Sequence, residues 1–296
     1  MRTQKRSAFS TYDLLAILLI VIFLLAFLIL AVQKVREAAT RISSMNNLKQ
    51  MVLAMHSYND ANGLLPPGVD DNNFSAASKL LPYIEQFQVY NGIDFKKGFD
   101  DKANAKAKAT VIKTFLSPRD PIQSVRDDSG ATNYLFNDFL FFRNSKSKIP
   151  QSFPDGLSNT IAIGETLKGD GKAKAEDVKR QYVLLGSAAL RGVKPDSGKS
   201  YWKEGVKNIA GDRCASWMDG RFLQGTFNGK LKPNDERPDV SCGGEGGVST
   251  LRSLDDNILL GLGDGSVRLE NAKTLTFTTW SNALDPADGQ VLGPDW

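Results

Sequence analysis

The sequence is poor in the side chains that most chemistry needs. It has one histidine, His56, and two cysteines, Cys214 and Cys242. A lone histidine argues against a histidine-based metal site and leaves at most one position for a Ser-His-Asp triad. His56 sits beside Met55 in a helical stretch and reads as a partly exposed helix residue. A strong charge of one sign is missing too. The formal net charge is +4, with 37 Lys and Arg scattered among 33 Asp and Glu, so nothing argues for nucleic acid. There is no G-x-G-x-x-G opening a helix, no EF-hand spacing, no paired-carboxylate signature and no nucleophile beside a base. No enzyme class leaves its mark, and no cofactor is expected. Acidic residues cluster at 70–73, 126–130 and 254–257, where a calcium ion would find oxygen ligands. Asp and Asn in such loops are usually turn formers.

Polar side chains are also absent from residues 14–32, nineteen in a row. At ~1.5 Å per residue this run spans about 28 Å as a helix, close to the thickness of a bilayer core. Arg2, Lys5 and Arg6 precede it. A signal peptide has a similar basic start but a shorter apolar core, followed by a small-x-small cleavage site. Here LAVQKVREAATR follows and reads as helix. Lys34, Arg36 and Arg41 flank the far side, so charge bias alone does not orient the span. Beyond it, Val35, Ala38, Ile42, Met45, Leu48, Val52 and Met55 recur at steps of three and four, which is an amphipathic stripe. GLLPPG at 63–68 ends it, since consecutive prolines cannot continue a helix. One helix is therefore expected from about Tyr12 to about Asn59.

A carboxylate, Asp13, stands at the lip of the apolar run. RSAFSTYDLL with its basic leader resembles the start of type IV prepilins and pseudopilins. The resemblance places the processing site between Ala8 and Phe9 and Asp13 at the fifth mature position. There it implies that Asp13 neutralises the α-amino group of a neighbouring subunit as the helices bundle in lipid, where an unpaired charge is costly. The chain departs from the prepilin pattern at Ala8 (usually Gly), at Asp13 (usually Glu) and at Leu30 (often Pro). Read without the resemblance, Asp13 is a helix N-cap at the membrane interface.

Further segments carry the resemblance on: 46–68 (NNLKQMVLAMHSYNDANGLLPPG), 80–91, FLSPRDP at 115–121, TNYLFN at 132–137, DGLSNTIAIGE at 155–165, LGDGSVRLEN at 262–271 and the tail at 279–293. Together they are similar to a bacterial, planctomycete-abundant family of prepilin-like proteins with a C-terminal domain of unknown function. That family is tagged by a histidine, nine residues and Asp-Gly. Leu254 stands at the histidine position, and Ser44 and Ser117 stand where relatives commonly carry cysteine.

TIAIGE, QYVLLGSAAL and NILLGLGDGSVRLEN carry strand signals. The last reads as a β-hairpin with a tight turn at Asp264-Gly265. KLLPYIEQFQVY and NAKTLTFTTWSNAL have helical spacing. The Lys-, Ala-, Gly- and Asp-rich stretches at 96–113 and 168–180 read as solvated helix ends or loops. A long loop anchored by Trp217 and Phe222 is expected between 211 and 247. Cys214 and Cys242 enclose 27 residues of it. In a domain outside the cytoplasm they are expected to form a disulfide worth about 3.5 kcal/mol, with two free thiols as the alternative.

The expected architecture is α+β and pilin-like. It comprises a basic leader (1–8), a transmembrane segment (9–32), the amphipathic continuation of the helix (33–62) and a soluble domain (63–296) with antiparallel sheet. The expected function is that of a pilin- or pseudopilin-like structural subunit of a type II secretion or type IV pilus-like filament. The second reading is a single-pass membrane-anchored envelope binding protein that does not polymerise. The expected partners are the lipid bilayer, other pilin-like subunits and a prepilin peptidase. The N-terminus would be cytoplasmic and the C-terminal domain periplasmic or extracellular.

Overall fold

The computed structural model describes residues 11–203 and 207–296. Helix α1 runs unbroken over Thr11–Asn62, within a few residues of the expected span. Gly63 stops it. Its φ of +71° is left-handed, which glycine adopts without strain. Its N–H donates to the Asn59 carbonyl at 2.7 Å, and Pro66 and Pro67 prevent the helix resuming.

The chain divides after Ile42 into two compact units. In the first, the apolar side chains of residues 14–32 are exposed. In the second, residues 43–62 of α1 bury Leu48, Met51, Val52 and Met55. That is the i, i+3, i+4, i+7 pattern of one helix face. Val35 and Ile42 extend the stripe in sequence but are exposed; packing begins at Ser44.

The remaining helices are short: α2 (Ala76–Leu80), α3 (Phe87–Asn91), α4 (Ala105–Lys108) and α5 (Phe277–Leu284). The stretch expected as one helix around residues 79–90 is α2, a 3-10 turn at Leu81–Ile84 and α3, separated by Glu85 at φ 62°.

Strands β1 (Tyr134–Asn137), β2 (Ile161–Glu165), β5 (Thr226–Phe227), β8 (Asn257–Leu262) and β9 (Val267–Asn271) form a five-stranded sheet in the order β5-β1-β2-β8-β9. Its pairs are antiparallel, as expected, except the short parallel pair β1–β5. A second sheet, β4-β3-β6-β7, joins β3 (Tyr182–Leu185), β4 (Ile209–Ala210), β6 (Asp239–Cys242) and β7 (Gly247–Val248), with β3 and β6 parallel.

The first sheet is covered on both faces, which positions everything below. Leu259 of β8 joins the cluster that holds Leu48, Met51 and Val52 of α1. Its neighbours Ile258, Leu260 and Leu262 join the cluster around Trp280 of α5. Alternation along one strand thus feeds two cores. Gly261 lets the helix lie close, since a Cβ there would meet Val52 Cγ2 at 2.6 Å. Trp280 donates its indole N–H to the Gly229 and Leu231 carbonyls, each at 2.9 Å, so its polar atom is satisfied inside an apolar core.

Candidate functional site

One helix among the described residues is long and apolar enough to cross a membrane. Its apolar side chains point outward, with Phe23 for example 63% exposed. Sixteen Leu, Ile, Val and Phe within nineteen residues make an apolar surface far larger than a soluble monomer leaves in water. Ala8 and Phe9 lie outside the described residues. Asp13 belongs to α1 by its backbone, and its side chain lies outside the described set.

The Asp264-Gly265 turn is where the sequence placed it. Gly265 N–H donates to the Leu262 carbonyl at 3.1 Å, and Leu262 N–H to the Ser266 carbonyl at 2.9 Å. The loop is therefore three residues long, with Gly265 left-handed at φ +89°. Asp264 Oδ1 accepts from the Ser266 N–H and hydroxyl at 2.8 and 2.6 Å. The turn docks on α1, where Lys49 Nζ donates to the Gly265 carbonyl at 2.5 Å. His56 lies alongside, half-buried, with its Nε2 buried and unpartnered. Leu254 is exposed, at 55%.

The disulfide expectation is corrected. Cys214 and Cys242 are both free, buried thiols. They sit in separate hydrophobic clusters, Cys214 beneath the first sheet and Cys242 in the second. The Cys214 thiol faces the Leu223 carbonyl at 3.7 Å. Burial pushes it up to about 11, opposed by the neighbouring Arg213. The segment between the cysteines needs no staple, because β5 and β6 and the buried ions described below already fix it.

Two serines singled out by the resemblance do meet. Ser44 Oγ of α1 lies 2.8 Å from Ser117 Oγ, and the Tyr134 hydroxyl donates to the Ser44 carbonyl at 3.3 Å. The double variant Ser44→Cys/Ser117→Cys is expected to close a disulfide and add about 2–4 kcal/mol. The measurement is the Tm with and without reductant; equal values would contradict it.

The acidic loops are occupied by local bonds. Asp70 accepts from the Asn72 and Phe74 N–H groups and pairs with Lys79. Asp128 pairs with Lys108 and Asp255 with Arg119. No group of three or more His, Cys, Asp or Glu among the described residues is placed to hold a metal ion.

The 168–180 stretch, read as solvated, is not so at its ends. Lys168 and Arg180 are buried, and both reach buried Asp120, at 3.3 and 3.0 Å. Lys168 follows β2 by three residues and Asn133 precedes β1 by one, so the antiparallel register Tyr134↔Glu165 brings the two together. Lys168 Nζ donates to Asn133 Oδ1 at 2.6 Å, and Asn133 Nδ2 donates to Asp120 Oδ2 at 2.9 Å. A second buried group holds Asp239 between Arg213 and Arg252. The sequence signal is positional: a lysine three residues past a wholly buried strand in the first group, and an aspartate opening a buried strand in the second.

Asp138 follows β1, next to exposed Phe139. Burial raises it to about 6, with Lys230 partly offsetting. A raised carboxyl binds its proton more tightly folded than unfolded, so stability rises as pH falls through that value. Taking the wild type from about pH 7 to about pH 5 is expected to add about 1 kcal/mol that Asp138→Asn does not gain. Denaturant titrations at both pH values check it, and equal pH responses would contradict it.

A family described as a protein of unknown function (DUF1559) matches residues 33–271. The chain belongs to that family. No curated protein and no solved structure matches it. The DUF1559 match begins just past the apolar run and ends at Asn271, the last residue of β9. It therefore takes in the packed part of α1, both sheets, the Asp264-Gly265 turn and both buried ion groups. The run at 14–32 and helix α5 lie outside it.

Proposed function

We propose that this DUF1559 protein is a pilin- or pseudopilin-like structural subunit, anchored by α1 and able to join a secretion-type or pilus-type filament. One observation carries the reading. A single unbroken 52-residue helix is apolar and exposed in its first half and packs into a folded domain in its second. A signal peptide would end in a cleavage loop; this helix runs on. Side-by-side bundling of such helices would cover their apolar surfaces with lipid and with each other. Asp13 would then be tolerated because a neighbour's α-amino group, freed by a prepilin peptidase cutting between Ala8 and Phe9, offsets its burial. Replacing Asp13 by alanine is expected to abolish incorporation into filaments while leaving membrane insertion intact. Unchanged incorporation would remove the mechanism.

The second reading, an anchored binding protein that does not polymerise, draws on a different observation. An open polar cleft in the soluble unit is lined by Asp196, Lys199, Lys232, Asp235, Arg237 and Lys273. Its mixed charge and lack of aromatic walls give it no obvious ligand class, so the filament reading is preferred.

A further inference from the structure

We propose that Lys168 and Asn133 join in an intramolecular isopeptide bond, formed by the protein on itself with Asp120 as the proton carrier. The three side chains are wholly buried, at 1%, 0% and 1% exposure, and no bulk water competes for them. The donor pattern fixes the orientation of the amide. Asn133 Nδ2 faces two acceptors, Asp120 Oδ2 and the Thr166 carbonyl, both at 2.9 Å. Oδ1 faces two donors, Lys168 Nζ at 2.6 Å and the Ser117 N–H at 2.9 Å. A flipped amide would lose all four bonds. The C=O bond is ~1.23 Å, so Nζ lies within about 3.8 Å of Cγ, close to the ~3–3.5 Å of a near-attack arrangement.

Each group has a task. Burial lowers the Lys168 ammonium against the opposing pull of Asp120, and the nearby Arg180 charge lowers it further. Asp120 stays ionised: burial alone would raise it, but Lys168 and Arg180 hold it below the usual carboxylate range. The carboxylate takes a proton from Lys168 Nζ, 3.3 Å away. The free amine attacks Asn133 Cγ, a C–N bond forms, and the carbonyl electron pair moves onto Oδ1, where the Ser117 N–H receives the charge. Asp120 passes the proton to Nδ2. The carbonyl reforms, the Cγ–Nδ2 bond breaks and ammonia departs. The second proton of Nζ leaves with it as ammonium, so Asp120 ends as it began. No oxidant, reductant or cofactor enters.

Charge supplies the reason for the reaction. Before it, one buried carboxylate serves two buried cations, Lys168 and Arg180. Afterwards the lysine is a neutral amide and Asp120 is left to Arg180, which also reaches half-buried Asp177 at 3.7 Å, so the buried carboxylate no longer has to serve a buried ammonium. The bond would clamp β1 to β2 across 35 residues of chain, and it does not depend on whether the protein polymerises.

Intact-mass spectrometry of the purified full chain, with protease mapping, tests it. The expected result is a loss of one ammonia and a branched peptide joining Lys168 to Asn133. Separate linear peptides carrying an unmodified Lys168 and Asn133 would overturn the proposal. So would ammonia loss without the branched peptide, since Asn62-Gly63 can also lose ammonia. Lys168→Arg is expected to keep the full mass. Asp120→Asn, checked for folding by circular dichroism, is expected to remain unlinked; a folded, linked Asp120→Asn protein would overturn the role of Asp120. If Asp120→Asn fails to fold, the wild-type peptide map still decides whether the bond exists.

Discussion

Replacing Leu18, Ile22 and Leu25 together by arginine is expected to release the protein from the membrane. The sixteen Leu, Ile, Val and Phe of residues 14–32 favour insertion by about 0.3–0.6 kcal/mol each, roughly 5–10 kcal/mol in all. Each arginine near the helix centre opposes it by about 2.5–3.5 kcal/mol, so three bring roughly 8–10 kcal/mol and lose three favourable residues besides. Insertion should then fail. The three positions are exposed in α1, so the substitutions disturb no packing in the described structure. Alkaline extraction of membranes is the measurement. The wild type should stay in the pellet and the variant should be extracted. A wild type released as readily as the variant would contradict the anchor.

The second large effect belongs to the compact unit Ser43–Trp296. Asp239 opens β6 wholly buried, and its two carboxylate oxygens serve different guanidinium groups, Arg213 and Arg252. It also accepts from the Thr250 N–H at 3.2 Å. Arg213 donates to Thr166 Oγ1 at 3.0 Å and Arg252 to the Arg237 carbonyl at 2.7 Å, so the cluster ties both sheets and the loops between them. Asp239→Ala would strand two buried cations at once. Removing one partner from a buried pair typically costs about 3–5 kcal/mol, and here two pairs go. That is a large part of the ~5–15 kcal/mol that holds a domain together. Denaturant unfolding should show a loss of at least about 3 kcal/mol; a loss within the range of a surface substitution would contradict the role given to Asp239.

How far the sequence could be read depends on the range of the interactions. α1 was legible because helical periodicity and Pro66-Pro67 are local signals, and its observed bounds are Thr11–Asn62. The β8–β9 hairpin was legible for the same reason: its alternation and its Asp-Gly turn lie within fifteen residues. Of the second sheet only β3, within QYVLLGSAAL, was legible as a strand; its pairing was not. β4 and β7 are two residues each, and β3 pairs in parallel with β6 more than fifty residues away, so no window of sequence contains the pattern. The buried ions were hidden because a lysine in a Lys-rich stretch looks like all the others. Lys168 differs from Lys172 only in following a buried strand and facing Asp120, a partner 48 residues earlier. The disulfide expectation failed for a related reason. Spacing shows that two cysteines are near in sequence, not that two clusters hold them apart.

The most direct test of the pilin-like account is the N-terminal residue of the protein extracted from native membranes. Cleavage by a prepilin peptidase should leave Phe9 at the N-terminus, seven residues ahead of Ala16 in the apolar run and four ahead of Asp13. N-terminal sequencing of the membrane-bound chain is expected to begin at Phe9, in line with a subunit made ready to pair its new α-amino group. A membrane-bound chain that still begins at Met1 would contradict it, leaving an anchored protein without the processing that filament assembly requires.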